Sequence, residues 1–290
     1  MKVWRSLDDQ VRLLRDRGLV IDDPAECRRF LMRVGYYHLS GYARFFQVDP
    51  AYGDNRFKAG VRFSDIAELQ ILDTRLRNLS LSALADVELA LRTGFAYRFA
   101  ELHRTPGALW DPASFAPPAR SSSPVHEKVL EDLDKAKQPF ISRHRVAWGQ
   151  YLDLPPWISV EALQFGTLSK AVEQCANPDI RKALADDFGV AHQGFSSQIR
   201  AFVTLRNACA HSNRLWNDVA RIQASVPNNI LQRAKRRVGS FHPQSNYQVL
   251  VALEEFLPQT KAESSFMAQV DELLATSEPF ASGLRNPCPY

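Results

Sequence analysis

The 290-residue chain predicts an all-α fold. Two observations carry that expectation. From residue 64 to about residue 102, Ile66, Leu69, Leu72, Leu76, Leu79, Leu84, Val87, Leu91, Phe95 and Phe99 recur at three- and four-residue intervals. Elsewhere the chain is a succession of shorter helical patterns bounded by cap residues, prolines and glycines. A small helical N-terminal element, residues 1–60, is expected to pack as a helix pair and an aromatic turn on a helical body formed by residues 61–290. There is no internal repeat and no heptad seam.

The elements follow in order. Ser6-Leu7-Asp8-Asp9 opens a first helix in the manner of a capping box; Leu7, Val11 and Leu14 keep helical spacing, and Gly18 stops it. Asp23-Pro24 opens a second helix, with proline at the first helical position, running through Cys27, Phe30, Leu31 and Val34 to Gly35. Tyr36-Tyr37-His38-Leu39-Ser40-Gly41-Tyr42 predicts a tight turn whose aromatics pack on the core. Residues 49 to 62, with Pro50, Gly53 and Gly60, predict a hairpin or a loop. Ser64 is expected to cap the long helix. Thr105 to Pro124, rich in Pro, Gly, Ala and Ser, predicts an exposed connection.

A helical pattern resumes from Val125 to Lys137, and Pro139 breaks it. Leu154-Pro155-Pro156-Trp157 leads rigidly into a helix ending at Phe165-Gly166, Thr167 opens another to Cys175, and Asn177-Pro178 caps one to Gly189. The motif helix is expected at about 195–217, after His192-Gln193-Gly194. Beyond it come the basic run Arg233 to Arg237, an apolar helix from Tyr247 to Leu257 broken by Pro258, and a last helix from about Ala262 to Ala275. Asn286 to Tyr290 is expected to fray.

Composition narrows the classes. Hydrophobic residues at 45% and charged residues at 23% are ordinary globular values. A net charge of +4 permits a nucleic-acid partner without requiring one, since a local basic patch matters more than the total. Cys27, Cys175, Cys209 and Cys288 show no paired spacing of the kind that closes a zinc site, so no metal or cofactor is expected. The N-terminus lacks an apolar signal core and no stretch approaches a membrane span, which sets the expectation of a cytoplasmic protein with no membrane partner.

The densest polar cluster lies in Ile199 to Asn217. Ile199, Phe202, Val203, Leu205 and Ala210 supply its apolar side; Arg206, Asn207, His211, Asn213 and Arg214 are too concentrated for packing alone. On one continuous helix at about 100° per residue, Asn207, His211 and Arg214 fall within roughly 60° of one another, while Arg206 stands roughly 140° from His211. Arg206 must then curl round the helix to meet its own histidine, or meet the same stretch of a second copy across a twofold axis.

Arg206-Asn207-Ala208-Cys209-Ala210-His211 resembles the R-N-x-x-x-H motif of the HEPN superfamily of helical ribonucleases. With Arg214-Leu215-Trp216-Asn217 added, it resembles the abortive-infection (Abi) phage-defence family within that superfamily. The resemblance also covers Leu13-Leu14 to Gly18-Leu19, Tyr36 to Tyr42, Asp73 to Leu76-Arg77, Val87-Glu88 to Leu91-Arg92-Thr93, and Pro156-Trp157 to Phe165-Gly166-Thr167-Leu168-Ser169. It implies a HEPN-like helical bundle, a toxin-like endoribonuclease acting as a homodimer on RNA, and restraint by an antitoxin protein or a small regulatory RNA.

The chemistry is consistent with that implication. Metal-free RNA cleavage needs a base for the 2′-hydroxyl, an acid for the departing 5′-oxygen, and cations for the charge on the phosphorane-like transition state. His211 suits proton transfer near neutral pH, and Arg206 offers a planar fork that matches phosphate oxygens. Asn207 can donate to phosphate or hold the imidazole; Asn213 and Arg214 are candidates for a neighbouring phosphate. The expected products are a 2′,3′-cyclic phosphate and a 5′-hydroxyl. Glu88 and Arg92, at i and i+4, form either a plain surface pair or, as the resemblance implies, a support that orients Arg206 or His211.

Other readings stand beside these. A lone R-x-x-x-x-H on an apolar helix is ordinarily structural, and the same cluster could grip phosphate in a non-catalytic RNA-binding or partner-binding module. His38 and the rings around it could stack an RNA base rather than only pack. Lys128, Lys135, Lys137, Arg143, His144 and Arg145 form either a solvated face or a phosphate-tracking surface.

Overall fold

A computed structural model describes residues 3–117, 123–257 and 266–288. Helices dominate, as the sequence predicts. In helix α1, Leu7–Asp16, the Ser6 hydroxyl accepts from the Asp9 amide; in α2, Pro24–Val34, the Asp23 carboxylate accepts from the amides of Ala25 and Glu26. Gly35, at φ 84°, ends α2.

Tyr36 to Tyr42 does not form the expected tight turn. It is helix α3, Tyr36–Ala43. Gly35 redirects the chain and its carbonyl accepts from the Leu39 amide, so the turn is confined to that one glycine. Strands β1, Gln47–Asp49, and β2, Asp54–Phe57, make an antiparallel hairpin that begins two residues before the segment expected to be a hairpin or a loop.

Helix α4, Phe63–Leu102, is 40 residues long, about 60 Å at 1.5 Å per residue. Its N-cap is Arg62 rather than Ser64: the Asp65 carboxylate accepts from the Arg62 amide at 2.8 Å. The earlier start follows from the strand-like contact between residues 20 and 62. There the Val20 amide donates to Val61 and the Phe63 amide donates to Val20. Buried positions recur along the whole of α4, from Phe63 to Phe99.

The described part of the Thr105–Pro124 connection is less exposed than its composition predicts; residues 118–122 lie outside the described residues. Leu109 and Phe115 are buried, the Phe115 ring stacks on Phe99, and the Ala116 amide donates to Gln174. Helices α5, Val125–Lys135, and α6, Pro139–Ser142, follow, so Pro139 begins a short helix as well as ending the pattern before it. A second hairpin that the sequence did not suggest joins β3, Arg145–Ala147, to β4, Gln150–Tyr151. Arg145 explains its position. Its guanidinium donates to the carbonyls of Leu133, Asp134 and Ala136 and so closes the C-terminal end of α5.

Helix α7, Pro156–Ser159, is short, and α8, Phe165–Gln174, begins where the sequence places an end. The Asp132 carboxylate accepts from both the amide and the side chain of Gln164, which fixes the chain one residue before α8 starts. Helices α9, Pro178–Asp187, and α10, Phe195–Ala210, complete the region around α4. Then come α11, Asn228–Val238, α12, Asn246–Glu254, α13, Phe266–Thr276, and α14, Glu278–Arg285. The basic run lies on α11. Residues 262–265 of the last predicted helix, and the two terminal residues of the segment expected to fray, lie outside the described residues.

Helix α4 is the spine: α3, α7, α8, α9, α10, α12, α13 and α14 all pack on it. Next to it, Phe188, Phe195, Phe202 and Phe256 interlock between α9, α10 and the end of α12. An ionisable group sits deep among these apolar layers. Asp73 is fully buried on α4 and accepts from the Tyr42 hydroxyl at 2.6 Å, from the Arg77 guanidinium, and from the amides of Leu215 and Trp216 at 3.3 and 3.0 Å. Burial pushes its carboxyl upward, while Arg77, Tyr42 and the two amides pull it back down. It thereby joins α3, α4 and the chain beyond α10.

Removing that carboxylate leaves a buried guanidinium and two backbone amides without their acceptor. Asp73→Ala is therefore expected to lower the unfolding free energy by about 3–5 kcal/mol, read from urea denaturation. A change within the roughly 0.5 kcal/mol of a surface substitution would show that the network holds nothing.

Candidate functional site

Helix α10 buries Phe195, Ile199, Phe202, Leu205 and Cys209 against α4, α8 and α12. Spacing of three and four residues makes that one stripe, which leaves Arg206 half-buried at its border and Asn207 exposed. The helix does not run on to Asn217 as the sequence suggests. It ends at Ala210, with His211 as C-cap, Ser212 in the left-handed region at φ 55°, the Ser212 amide donating to Cys209 and the Asn213 amide to Ala208. That pair of bonds is a Schellman motif built on serine instead of glycine.

The expected shared face of Asn207, His211 and Arg214 is thereby corrected. His211, Ser212 and Asn213 are exposed at the helix end, whereas Arg214 turns back into the fold. Its Nη1 donates to the Gly41 carbonyl on α3 and its Nη2 lies 3.5 Å from the Asn217 carbonyl. A Cβ at Gly41 would meet the same Nη1 at 3.4 Å, an ordinary van der Waals contact. Asp73 then takes the amides of Leu215 and Trp216. The Trp216 indole stacks on Tyr42, meets Phe45 edge-on and donates to the Pro279 carbonyl. A Cβ on Gly283 would come within 2.3 Å of the indole nitrogen, so α14 can cover the ring only with glycine at that position. Asn217, at φ 50°, accepts from the Cys288 amide at 2.7 Å.

Arg206 is held from three sides. Its Nε lies 3.5 Å from a Glu88 oxygen, its guanidinium lies 5.6 Å from the Phe165 ring centroid, and its Nη1 donates to the Asn207 side-chain oxygen at 2.9 Å. Glu88 in turn accepts from Arg92 at 2.9 Å, and Arg92 donates to the Leu163 carbonyl at 2.9 Å. Glu88 and Arg92 are thus more than a surface pair. One carboxylate lies between two guanidiniums, and the group carries a net positive charge, which suits a phosphate. With its oxygen committed to Arg206, Asn207 keeps its amide as a donor. Among the described residues the His211 side chain has no hydrogen-bond partner, and no three His, Cys, Asp or Glu side chains gather as a metal site would.

The arrangement is that of a mostly helical protein presenting an arginine, an asparagine and a histidine at the open end of a buried helix. The family model described as Abi-like protein matches residues 29–217, and the chain belongs to that family. The match runs from within α2 to Asn217, so it takes in both the exposed cluster and the Asp73 network. No curated protein and no solved structure matches the chain. No described helix is long and apolar enough to cross a membrane.

Sequence reasoning left Asp73, Arg77 and Phe165 without a role and gave Tyr42 only a place in the core packing. Each lay in a stretch that carried the family resemblance, but nothing in linear spacing shows that Asp73 and Trp216 meet. Arg214→Ala, which removes a charged donor from the Gly41 carbonyl, is expected to cost about 1.5–3 kcal/mol of stability in chemical denaturation. Parental stability in that variant would show that the guanidinium does not hold α3.

Proposed function

We propose that the chain is an abortive-infection endoribonuclease of the HEPN type, acting in the cytoplasm and cleaving RNA through attack of the 2′-hydroxyl without a metal. The observation that carries this reading is the exposed His211 at the end of α10, one turn from an Asn207 that Arg206 holds, with Arg206 itself positioned by Glu88 and Phe165.

In this reading His211 moves the proton of the 2′-hydroxyl or supplies one to the departing 5′-oxygen, Arg206 takes the non-bridging phosphate oxygens, and Asn207 donates its amide to the same phosphate. Glu88 and Arg92 act through Arg206. One histidine does not easily serve both proton transfers, so the complete site is a composite of two motif helices from two copies of the chain. Asn213, exposed beside His211, is the remaining candidate for a neighbouring phosphate, since Arg214 is engaged with α3. An antitoxin protein or a small regulatory RNA that covers this helix end would hold the enzyme inactive.

Incubation of the purified protein with labelled RNA in chelator tests the assignment. His211→Ala is expected to lower turnover by about 10²–10⁴-fold, the usual worth of a general acid or base, with affinity for RNA nearly unchanged. Arg206→Ala should lose both turnover and affinity, and Arg206→Lys should recover affinity more than rate, because a point charge lacks the bidentate fork. Parental cleavage by His211→Ala, or activity that stops in chelator, would place the nuclease centre elsewhere.

Light scattering at micromolar concentration is expected to give twice the 32.8 kDa chain mass. A strict monomer that still cleaves RNA would contradict the composite site.

A further inference from the structure

Beside the helix end lies a groove of about 480 Å³ between the end of α2, α3 and the first half of α4. Its lining includes Arg33, His38, Ile71, Arg75, Arg77 and Ser212. Ser212 directly follows His211, so the groove begins at the proposed site. No acidic residue lines it. Arg77, on its floor, is neutralised by Asp73, but among the described residues Arg33 and Arg75 have no ion pair and no hydrogen bond. That contrasts with Arg28 and Arg29 on the same helix, which face Asp8 and Asp23 at 3.5 and 3.7 Å. Arg33 and Arg75 are exposed and Ile71 offers an apolar surface between charged neighbours.

We infer that this groove holds the nucleotide of a single-stranded RNA next to the scissile phosphate, with Arg33 and Arg75 on its phosphate and its base against Ile71 and His38. The inference rests on the nuclease reading of His211. A groove of this volume suits one nucleotide, and recognition of unpaired RNA characteristically combines a basic track with rings or planes on which a base stacks. Burial, and then the guanidiniums of Arg77 and Arg214, hold the His38 imidazole below its ordinary pKa. At neutral pH it is therefore an uncharged plane suited to a base, and the charge comes from the two arginines. An acidic peptide would match the arginines but would make no use of that plane.

The test uses a labelled 12-nucleotide single-stranded RNA with 2′-O-methyl groups throughout, which cannot undergo 2′-hydroxyl attack, and reads binding by fluorescence anisotropy at several salt concentrations. Arg33→Ala with Arg75→Ala is expected to weaken binding by about ten- to a hundredfold, and to reduce the salt slope by about 0.7 for the one phosphate lost. Arg28→Ala with Arg29→Ala removes the same charge from outside the groove and should change affinity less than twofold. Both arginine pairs are exposed, and circular dichroism melts confirm that each variant folds.

Parental affinity in the groove variant, an equal loss in the Arg28 and Arg29 control, or tighter binding of poly-glutamate than of the RNA probe would overturn the groove assignment. The two readings separate cleanly. A protein that binds the probe through Arg33 and Arg75 yet leaves unmodified RNA intact keeps the groove and loses the nuclease. One that cleaves RNA while the groove variant binds like the parent does the reverse.

Discussion

A single buried carboxylate ties the site to the fold. Asp73 has no exposed surface, and an ionised group in that position is tolerable only with its lone pairs filled. Four donors fill them: the Tyr42 hydroxyl from α3, the Arg77 guanidinium one turn along α4, and the amides of Leu215 and Trp216. The last two matter most for the shape of the candidate site. A chain leaving a helix through a Schellman turn has many directions available, and Asp73 selects one, directing Leu215 and Trp216 inward while His211 and Ser212 remain at the surface. Trp216 then completes the packing against Tyr42, Phe45 and α14.

The string from Arg206 to Asn217 therefore has two physical halves. Arg206, Asn207 and His211 form an accessible cluster whose arginine is oriented by Glu88 and Phe165. Arg214, Trp216 and Asn217 satisfy backbone groups on α3, α14 and the C-terminal segment, and the Leu215 and Trp216 amides donate to the Asp73 carboxylate on α4. Both halves fall inside the residues matched by the Abi-like family, so the matched segment takes in a fold anchor as well as the exposed polar cluster. The same division places Tyr36 to Tyr42: Tyr42 and Gly41 face the anchor, and His38 faces the groove that starts at Ser212.

Much of this architecture is legible in the amino-acid sequence. Asp23-Pro24 and Asn177-Pro178 carry their helix starts in their own side chains, and the apolar period of α4 survives for 40 residues because a buried face and an exposed stripe, from Ser64 to Tyr97, run along its length. Arg206, Asn207, His211, Glu88 and Arg92 are identifiable as candidates from motif and spacing. Four of the differences between expectation and structure come from a contact with another part of the chain. Val20 moves the start of α4 forward, Asp132 fixes the start of α8, Arg145 folds an unexpected hairpin onto α5, and Asp73 takes the residues after His211 out of the helix. Serine in the left-handed C′ position, where glycine is the usual signal, hides the end of α10. The role of Arg214 is obscured for the same reason, since an arginine beside a histidine in sequence need not share its surroundings.

The measurement that bears most directly on the central claim, that the open end of α10 is a metal-independent ribonuclease centre, is end-group analysis of RNA treated with the purified protein in chelator. Attack by the 2′-hydroxyl leaves a 5′-hydroxyl on one fragment and a 2′,3′-cyclic phosphate on the other. The account predicts that the new 5′ ends accept labelled phosphate from a polynucleotide kinase directly, and that the new 3′ ends resist ligation until the cyclic phosphate is removed. Fragments carrying 5′-phosphate and free 3′-hydroxyl ends would contradict it, because that outcome requires an external water as nucleophile and a different site.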